Sequence, residues 1–161
     1  MRLYFRCMTL IVLLLLQGCS QTPAPDNANA QLAHQATQRL LIEQDFDRWD
    51  QYFHAGAELN GSAMALTIMR GTAQAMHHSF PDVQLRLVEQ ISTTDKVVTR
   101  FVLEGTHEGH YSNLKPTHQR VTFNGISVDD FRDGRIAQRF MLLDLYGLGQ
   151  DLAAAANATG S

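Results

Sequence analysis

From Gln84 onward the chain reads as four long strands in succession, and that run most limits what it can fold into. Gln84 to Ser92 alternates, with Leu85, Leu87 and Glu89 opposite Arg86 and Val88. A turn at Thr94-Asp95 leads into Lys96 to His107, which carries Val97, Val98, Phe101, Val102 and Leu103. Val121 to Phe131 is a third strand. Asp133-Gly134 then marks a hairpin, because both residue types accept the positive φ of a type I′ turn. Arg135 to Leu143 is the fourth strand, and Asp144 to Ala156 reads as a closing helix. Short links between consecutive strands call for antiparallel neighbours.

The residues before Pro81 follow helical spacing. Leu32, Ala36 and Leu40 share one face of a first helix, and Phe46, Trp49 and Phe53 continue the pattern in a second. Ala57 to Asn60 is a short extended piece, and Ser62 is a suitable N-cap for the next helix. Leu66, Met69, Ala73, Met76 and Phe80 recur at three- and four-residue steps. Methionine at such positions is an adaptable core filler. Pro81-Asp82 ends this helix. Helices first and strands afterwards define an α+β fold. A curved sheet wrapped on helices encloses a cavity at its open end, a usual place for ligands.

The N-terminus carries a separate message. Arg2 and Arg6 precede an apolar run from Met8 to Leu16, too short to span a bilayer, which needs about 20 residues. The run ends in Leu16-Gln17-Gly18-Cys19, which resembles the lipobox of bacterial lipoproteins. The resemblance implies cleavage before Cys19, lipid on its thiol and acylation of its new amine. Residues 1–18 are then a signal peptide, 19–30 a lipidated cysteine and polar tether, 31–156 the domain and 157–161 a tail. Ser20 after the cysteine lacks the aspartate that resembles an inner-membrane retention signal, so an outer-membrane, periplasm-facing location is expected. Loss of Arg2 and Arg6 leaves 11 basic against 16 acidic residues, a formal charge of −5. That sign gives no electrostatic reason to bind nucleic acid. Cys7 leaves with the signal and Cys19 takes lipid, so no disulfide is expected.

Several short motifs occur in order across the domain. They are Phe80-Pro81-Asp82, Thr94-Asp95-Lys96-Val97-Val98, Gly105-Thr106-His107-Glu108-Gly109, Leu114-Lys115-Pro116-Thr117, Asp133-Gly134-Arg135-Ile136 and Asp144-Leu145-Tyr146-Gly147-Leu148. Together they resemble the SnoaL-like polyketide cyclase and predicted ester cyclase family of the nuclear-transport-factor-two-like superfamily, over roughly Asp45 to Leu152. The resemblance implies helices packed in a strongly curved antiparallel sheet, a cone-shaped barrel with an internal pocket. It also implies ring closure by intramolecular aldol condensation, with a buried aspartate as acid and base. Asp144 matches that aspartate.

Strand parity bears on Asp144. Strict alternation puts Ile136, Gln138, Phe140, Leu142 and Asp144 on one inward, mostly apolar face, opposite Arg135, Ala137 and Arg139. A carboxylate there is a stronger base because desolvation raises its pKa. Asp144 is equally an N-cap for the helix after it. Where relatives often show Glu-His-Trp, this chain has Gln138-Arg139-Phe140. Asn60 lies near the place of a family histidine. Asp129-Asp130 replaces an aromatic and an arginine, and one of the two must face inward. Asn60, His107, Asp130, Gln138 and Phe140 are therefore the expected pocket residues. His107 is read as a hydrogen-bonding group on the rim, and His77-His78 as structural. His107, His110 and His118 do not have metal-site spacing, so neither metal nor other cofactor is expected.

Three functions fit. The first is acid–base chemistry through Asp144 on a small apolar carbonyl compound or ester, of cyclase, isomerase or hydrolase type. The second is ligand binding without chemistry. The third is an interaction module, with two copies paired through the outer sheet face; Val121, Phe123 and Phe131 hint at an exposed apolar surface there.

Overall fold

The computed structural model describes residues 25–63 and 66–159. The signal segment and Cys19 lie outside the described residues. Helix α1 (Pro25–Thr37) continues into a π-helical turn (Gln38–Ile42), and a single turn, α2 (Trp49–Tyr52), follows. Then come β1 (Phe53–Leu59), β2 (Ser62–Ala63), α3 (Leu66–Ser79), β3 (Gln84–Ser92) and β4 (Lys96–Thr106). β5 (Arg120–Arg132), β6 (Arg135–Leu143) and α4 (Leu145–Thr159) complete the domain. The fold is α+β, as the order of patterns requires. Its six strands lie in the order β2-β1-β6-β5-β4-β3.

Two expectations about the sheet are corrected. It is mixed, because β1 runs parallel to β6, and it does not close into a barrel. Phe53 begins that strand rather than continuing a second helix. The helix ends at Tyr52, and Trp49 stacks on Phe53 across the junction with ring centroids 4.4 Å apart. At the other boundary, residues 25–30, expected in the flexible tether, belong to α1.

The core lies between the concave sheet face and the helices. Leu40, Leu41, Met69, Ala73 and Phe80 pack against Phe53, Phe101, Leu103, Phe123 and Ile136. Phe101 and Gly125 are paired across β4 and β5, and the Phe101 ring lies over the glycine. A Cβ on Gly125 would stand 2.3 Å from that ring, so only glycine fits. At Asp133-Gly134 both residues have positive φ, 48° and 71°, as the hairpin motif predicts.

One residue resets the facing of β6. Asp130 pairs with Gln138 but Phe131 pairs with Ile136, so Ala137 is an extra residue, a β-bulge. Beyond it Arg139, Met141 and Leu143 face inward, and Gln138, Phe140 and Leu142 face out. This reverses the strict alternation read from the sequence. Phe140 is 48 % exposed and Leu142 54 %. A second bulge at Val88 shifts β3 in the same way and turns Glu89 outward. Val121 and Phe123 are buried on the inner face, contrary to the hint of an exposed patch. The exposed apolar side chains of the outer face are Ile91, Ile126, Phe140 and Leu142.

The bulge brings Arg139 opposite Asp129 in the core. Both side chains are fully buried. Arg139 Nε and Nη2 donate to Asp129 Oδ1 and Oδ2 at 2.5 and 2.9 Å. Ser127 Oγ donates to the same carboxylate at 3.3 Å, and Arg139 Nη2 also reaches the Ala33 carbonyl of α1 at 3.3 Å. The guanidinium carbon lies 5.3 Å from the centre of the Phe53 ring. Removing one member of such a pair strands a buried charge. Asp129→Ala is therefore expected to lose about 3–5 kcal/mol in urea unfolding. Asp129→Leu combined with Arg139→Met should recover most of that loss; a double variant no better than the single one would refute this account.

Candidate functional site

A cavity of about 470 Å³ opens where the C-terminal end of α3 meets the ends of β4 and β6. Its walls are mainly apolar: Ala75, Met76, Phe80, Phe123, Leu143 and Leu148. Polar groups come from Thr72, His78 and Ser79 of α3 and from His110, Tyr111 and Ser112 of the loop after β4; the Thr72 hydroxyl is given to the Ile68 carbonyl of its own helix. Among the described residues, no carboxylate lines it.

The loop after β4 is fastened to α3. Glu108 and Gly109 N–H donate to the Ser79 carbonyl at 3.0 and 3.2 Å, and Ser79 Oγ donates to the His110 carbonyl at 2.8 Å. The approach is so close that a Cβ on Gly109 would fall 1.8 Å from the His78 carbonyl oxygen. Tyr111 and Leu114 then exchange backbone bonds at 3.2 and 3.0 Å. The Tyr111 hydroxyl reaches the Leu145 carbonyl at 3.4 Å and so spans from this loop to α4. Burial pushes the Tyr111 phenol above its ordinary pKa, so it stays protonated as a donor near neutral pH.

Below the loop, His107 is completely buried. Thr117 N–H donates to its Nδ1 at 3.2 Å, which makes Nδ1 an acceptor and puts the neutral ring's proton on Nε2. Nε2 makes no hydrogen bond of good geometry among the described residues, although the Gly109 carbonyl is near enough to favour the charged ring. His107 is thus a support packed 5.6 Å from the Phe80 ring, not a rim residue lining the cavity. Burial lowers its pKa, and the neighbouring His110 and His118 charges act in the same direction. The Gly109 carbonyl and Glu108 oppose them without reversing the shift.

The remaining predicted residues lie elsewhere. Asn60, at φ 50°, extends the edge of β1: its Oδ1 accepts Met141 N–H at 2.7 Å and its Nδ2 donates to the Met141 carbonyl at 3.1 Å. Asp130 faces outward and forms an ion pair with Lys96. Asp130, Gln138 and Phe140 meet with Glu58 and Gly61 in a depression of about 120 Å³, away from the large cavity. Gln138 Nε2 there donates to Glu58 at 3.2 Å. Asp144 is exposed, and the inward, apolar setting expected for it is corrected by the Ala137 bulge. Its Oδ1 accepts Gly147 N–H at 2.9 Å and its carbonyl accepts Leu148 N–H at 3.2 Å, an N-cap on α4. Its chain neighbours Leu143 and Leu145 both line the cavity. Sequence reading missed His110 and Tyr111 as cavity residues. The signal was present in Gly109, which lets this loop touch α3.

Fold and cavity together define a ligand-pocket domain of the superfamily that the motifs suggested. The profile of SnoaL-like polyketide cyclases matches residues 31–152, and the chain belongs to that family. Among curated proteins none matches. A candidate polyketide cyclase from Acidithiobacillus ferrooxidans superposes with a TM-score of 0.68 at 18 % identity, covering 80 % of this chain and 96 % of that one. TsrD from Streptomyces laurentii gives 0.67 at 24 %, covering 80 % and 98 %. AclR, a candidate hydroxylase from Streptomyces galilaeus, gives 0.68 at 18 %, covering 80 % and 86 %. At these identities the likeness is one of fold, and the fold carries more than one reaction.

The buried imidazole leads to a pH test. A folded-state pKa below the ordinary 6.5 means that the unfolded chain takes up the proton first. The contribution is fully present above about pH 6.5 and is lost as pH falls toward the folded value. The urea-unfolding free energy should therefore decline below pH 6.5, by at most about 1.4 kcal/mol per pH unit from this group. His107→Asn should flatten that slope relative to the parent protein. An unchanged slope would show that His107 does not titrate as argued.

Proposed function

We propose that this protein is a lipid-anchored envelope member of its family that binds a small, largely apolar molecule bearing a carbonyl or hydroxyl oxygen. The observation that carries the ligand reading is the distribution of polarity in the cavity. Apolar walls favour burying a hydrophobic body, and the polar groups cluster along α3's end and the Gly109 loop, where one oriented oxygen would be met. Tyr111 supplies a hydroxyl there whose proton goes to the Leu145 carbonyl and whose oxygen can accept from a ligand hydroxyl. The anchor reading rests on Arg2, Arg6, the Met8–Leu16 run and Leu16-Gln17-Gly18-Cys19. N-phenyl-1-naphthylamine, whose fluorescence rises in apolar surroundings, is the probe of choice. It should bind the purified protein, and Ala75→Trp, which fills the cavity, should weaken binding at least tenfold while thermal stability is kept. Equal binding by the variant would place the probe elsewhere and remove support for this pocket.

A second reading, cyclase-like acid–base chemistry, is favoured by the position of Asp144 between two cavity-lining leucines. The cap uses Oδ1, and Oδ2 is left available to a molecule at the mouth. Asparagine caps helices about as well as aspartate but does not exchange protons. Asp144→Asn should therefore keep stability within about 0.5 kcal/mol and keep probe binding. It should abolish turnover of whichever ester or carbonyl compound a substrate panel identifies. Full turnover by the variant would rule out Asp144 as the acid–base group.

A further inference from the structure

We infer that the anchored domain stands on the bilayer on its β3–β4 and β5–β6 turns, with the cavity opening away from the membrane, so that its ligand arrives through water. This rests on lipidation of Cys19 as proposed above. What it adds is a direction, which follows from chain geometry.

Because α1 begins at Pro25, only Ser20 to Ala24 separate Cys19 from the folded domain. The six Cα steps from Cys19 to Pro25 reach about 20 Å even when fully extended. The first turns of α1 are docked on one end of the sheet. Asn29 Nδ2 donates to the Thr94 carbonyl at 3.0 Å, and Gln90 Nε2 donates to the Ala30 carbonyl at 2.9 Å. The two hairpin turns share that end, since Lys96 pairs with Asp130 and Phe131 N–H donates to the Asp95 carbonyl at 2.7 Å.

The cavity is at the other end. Its loop leaves the far terminus of β4, and its wall residue Leu143 closes β6. The 11 residues of β4 separate the two ends, roughly 35 Å at about 3.3 Å per residue. Turning the cavity toward the bilayer would require the tether to run back along this length, well beyond its reach. The end left facing the lipid is polar. Exposed Arg132 and Arg135 flank Asp133 at the β5–β6 turn, and Asp95 is exposed at the β3–β4 turn, a charged, hydrated surface of mixed sign. A cavity held on the opposite side has no direct path to acyl chains, which sets its ligand apart from extracted lipid.

The experiment uses full-length protein processed in bacteria and reconstituted in phosphatidylethanolamine–phosphatidylglycerol vesicles. Thr94→Cys and Asn113→Cys each supply one free thiol for an environment-sensitive fluorophore, since Cys7 is removed and Cys19 is blocked. Both positions are exposed. With headgroup-attached spin-label quenchers, the label at position 94 should be quenched several-fold more than the label at position 113. Equal or reversed quenching on vesicle-bound protein overturns the orientation and leaves the anchor standing. The mass of the N-terminal peptide from the same sample reports lipid on Cys19. An unmodified cysteine, with protein that does not float with the vesicles, overturns the anchor and the orientation together.

Discussion

The fold is organised around an arginine that cannot give up its charge in a place with no water. Arg139 is held in the core by the two oxygens of Asp129, the Ala33 carbonyl and the face of Phe53. Each partner comes from a different element, so the guanidinium fixes α1, β1, β5 and β6 relative to one another. Its Nη1 has no partner among the described residues, which leaves part of the desolvation cost uncompensated. An apolar core would tolerate small slides between these elements. A bidentate ion pair does not, because misalignment leaves a charge buried alone. The Ala137 bulge is the local distortion that delivers Arg139 to this position.

At the other end of the sheet, the family motifs act on one another rather than on a substrate. Gly105 is the point where β4 crosses the chain leaving α3; a Cβ there would sit 3.1 Å from Phe80 Cβ and 3.2 Å from Val83 Cα. Asp82 accepts Thr106 N–H at 2.6 Å and Thr106 Oγ1–H at 2.8 Å, and these bonds, N–H first, hold its carboxyl below its ordinary pKa. His107 packs on Phe80 and receives Thr117 from the far side of the loop. The Phe-Pro-Asp, Gly-Thr-His and Pro-Thr motifs are therefore one bracket. It positions the loop over the cavity, and the loop residues that line it, His110, Tyr111 and Ser112, lie outside the motifs.

Strands β3 to β6, α3 and α4 were legible because long alternation, a hairpin Asp-Gly and a Pro stop are local signals. The facing of β6 was not. Alternation along Arg135 to Leu143 is consistent with either face once one residue is inserted, since Met141, Leu142 and Leu143 are all apolar. That single ambiguity moved Asp144 into an imagined dry pocket, sent Phe140 and Gln138 inward and hid Arg139. The informative clue was chemical, an Asp pair on β5 facing an Arg-rich β6, in which one pairing in the core fixes the register. Asp129, not Asp130, is the inward member. Of β1 only the end was legible, as the extended piece from Ala57; the rest escaped for a different reason. His54-Ala55-Gly56-Ala57 has little strand propensity, and its pairing with β6 is long-range, beyond any local pattern.

The buried ion pair and the cavity thus lie at opposite ends of the molecule. The ion pair, the start of α1 docked on the sheet and both hairpin turns lie at one end, and the cavity, its loop and the cap of α4 lie at the other. Substitutions in cavity residues such as Ala75 or Ser112 touch neither the buried charges nor the bracket of motifs. Contacts more than about 7–10 Å apart act nearly independently. A domain divided this way can change what it holds without changing how it folds. That division gives a physical reason for one architecture to be shared by candidate cyclases and a candidate hydroxylase. It also leaves the lining of the cavity to a few side chains around the Gly109 loop and the start of α4, apart from the conspicuous charges of the core.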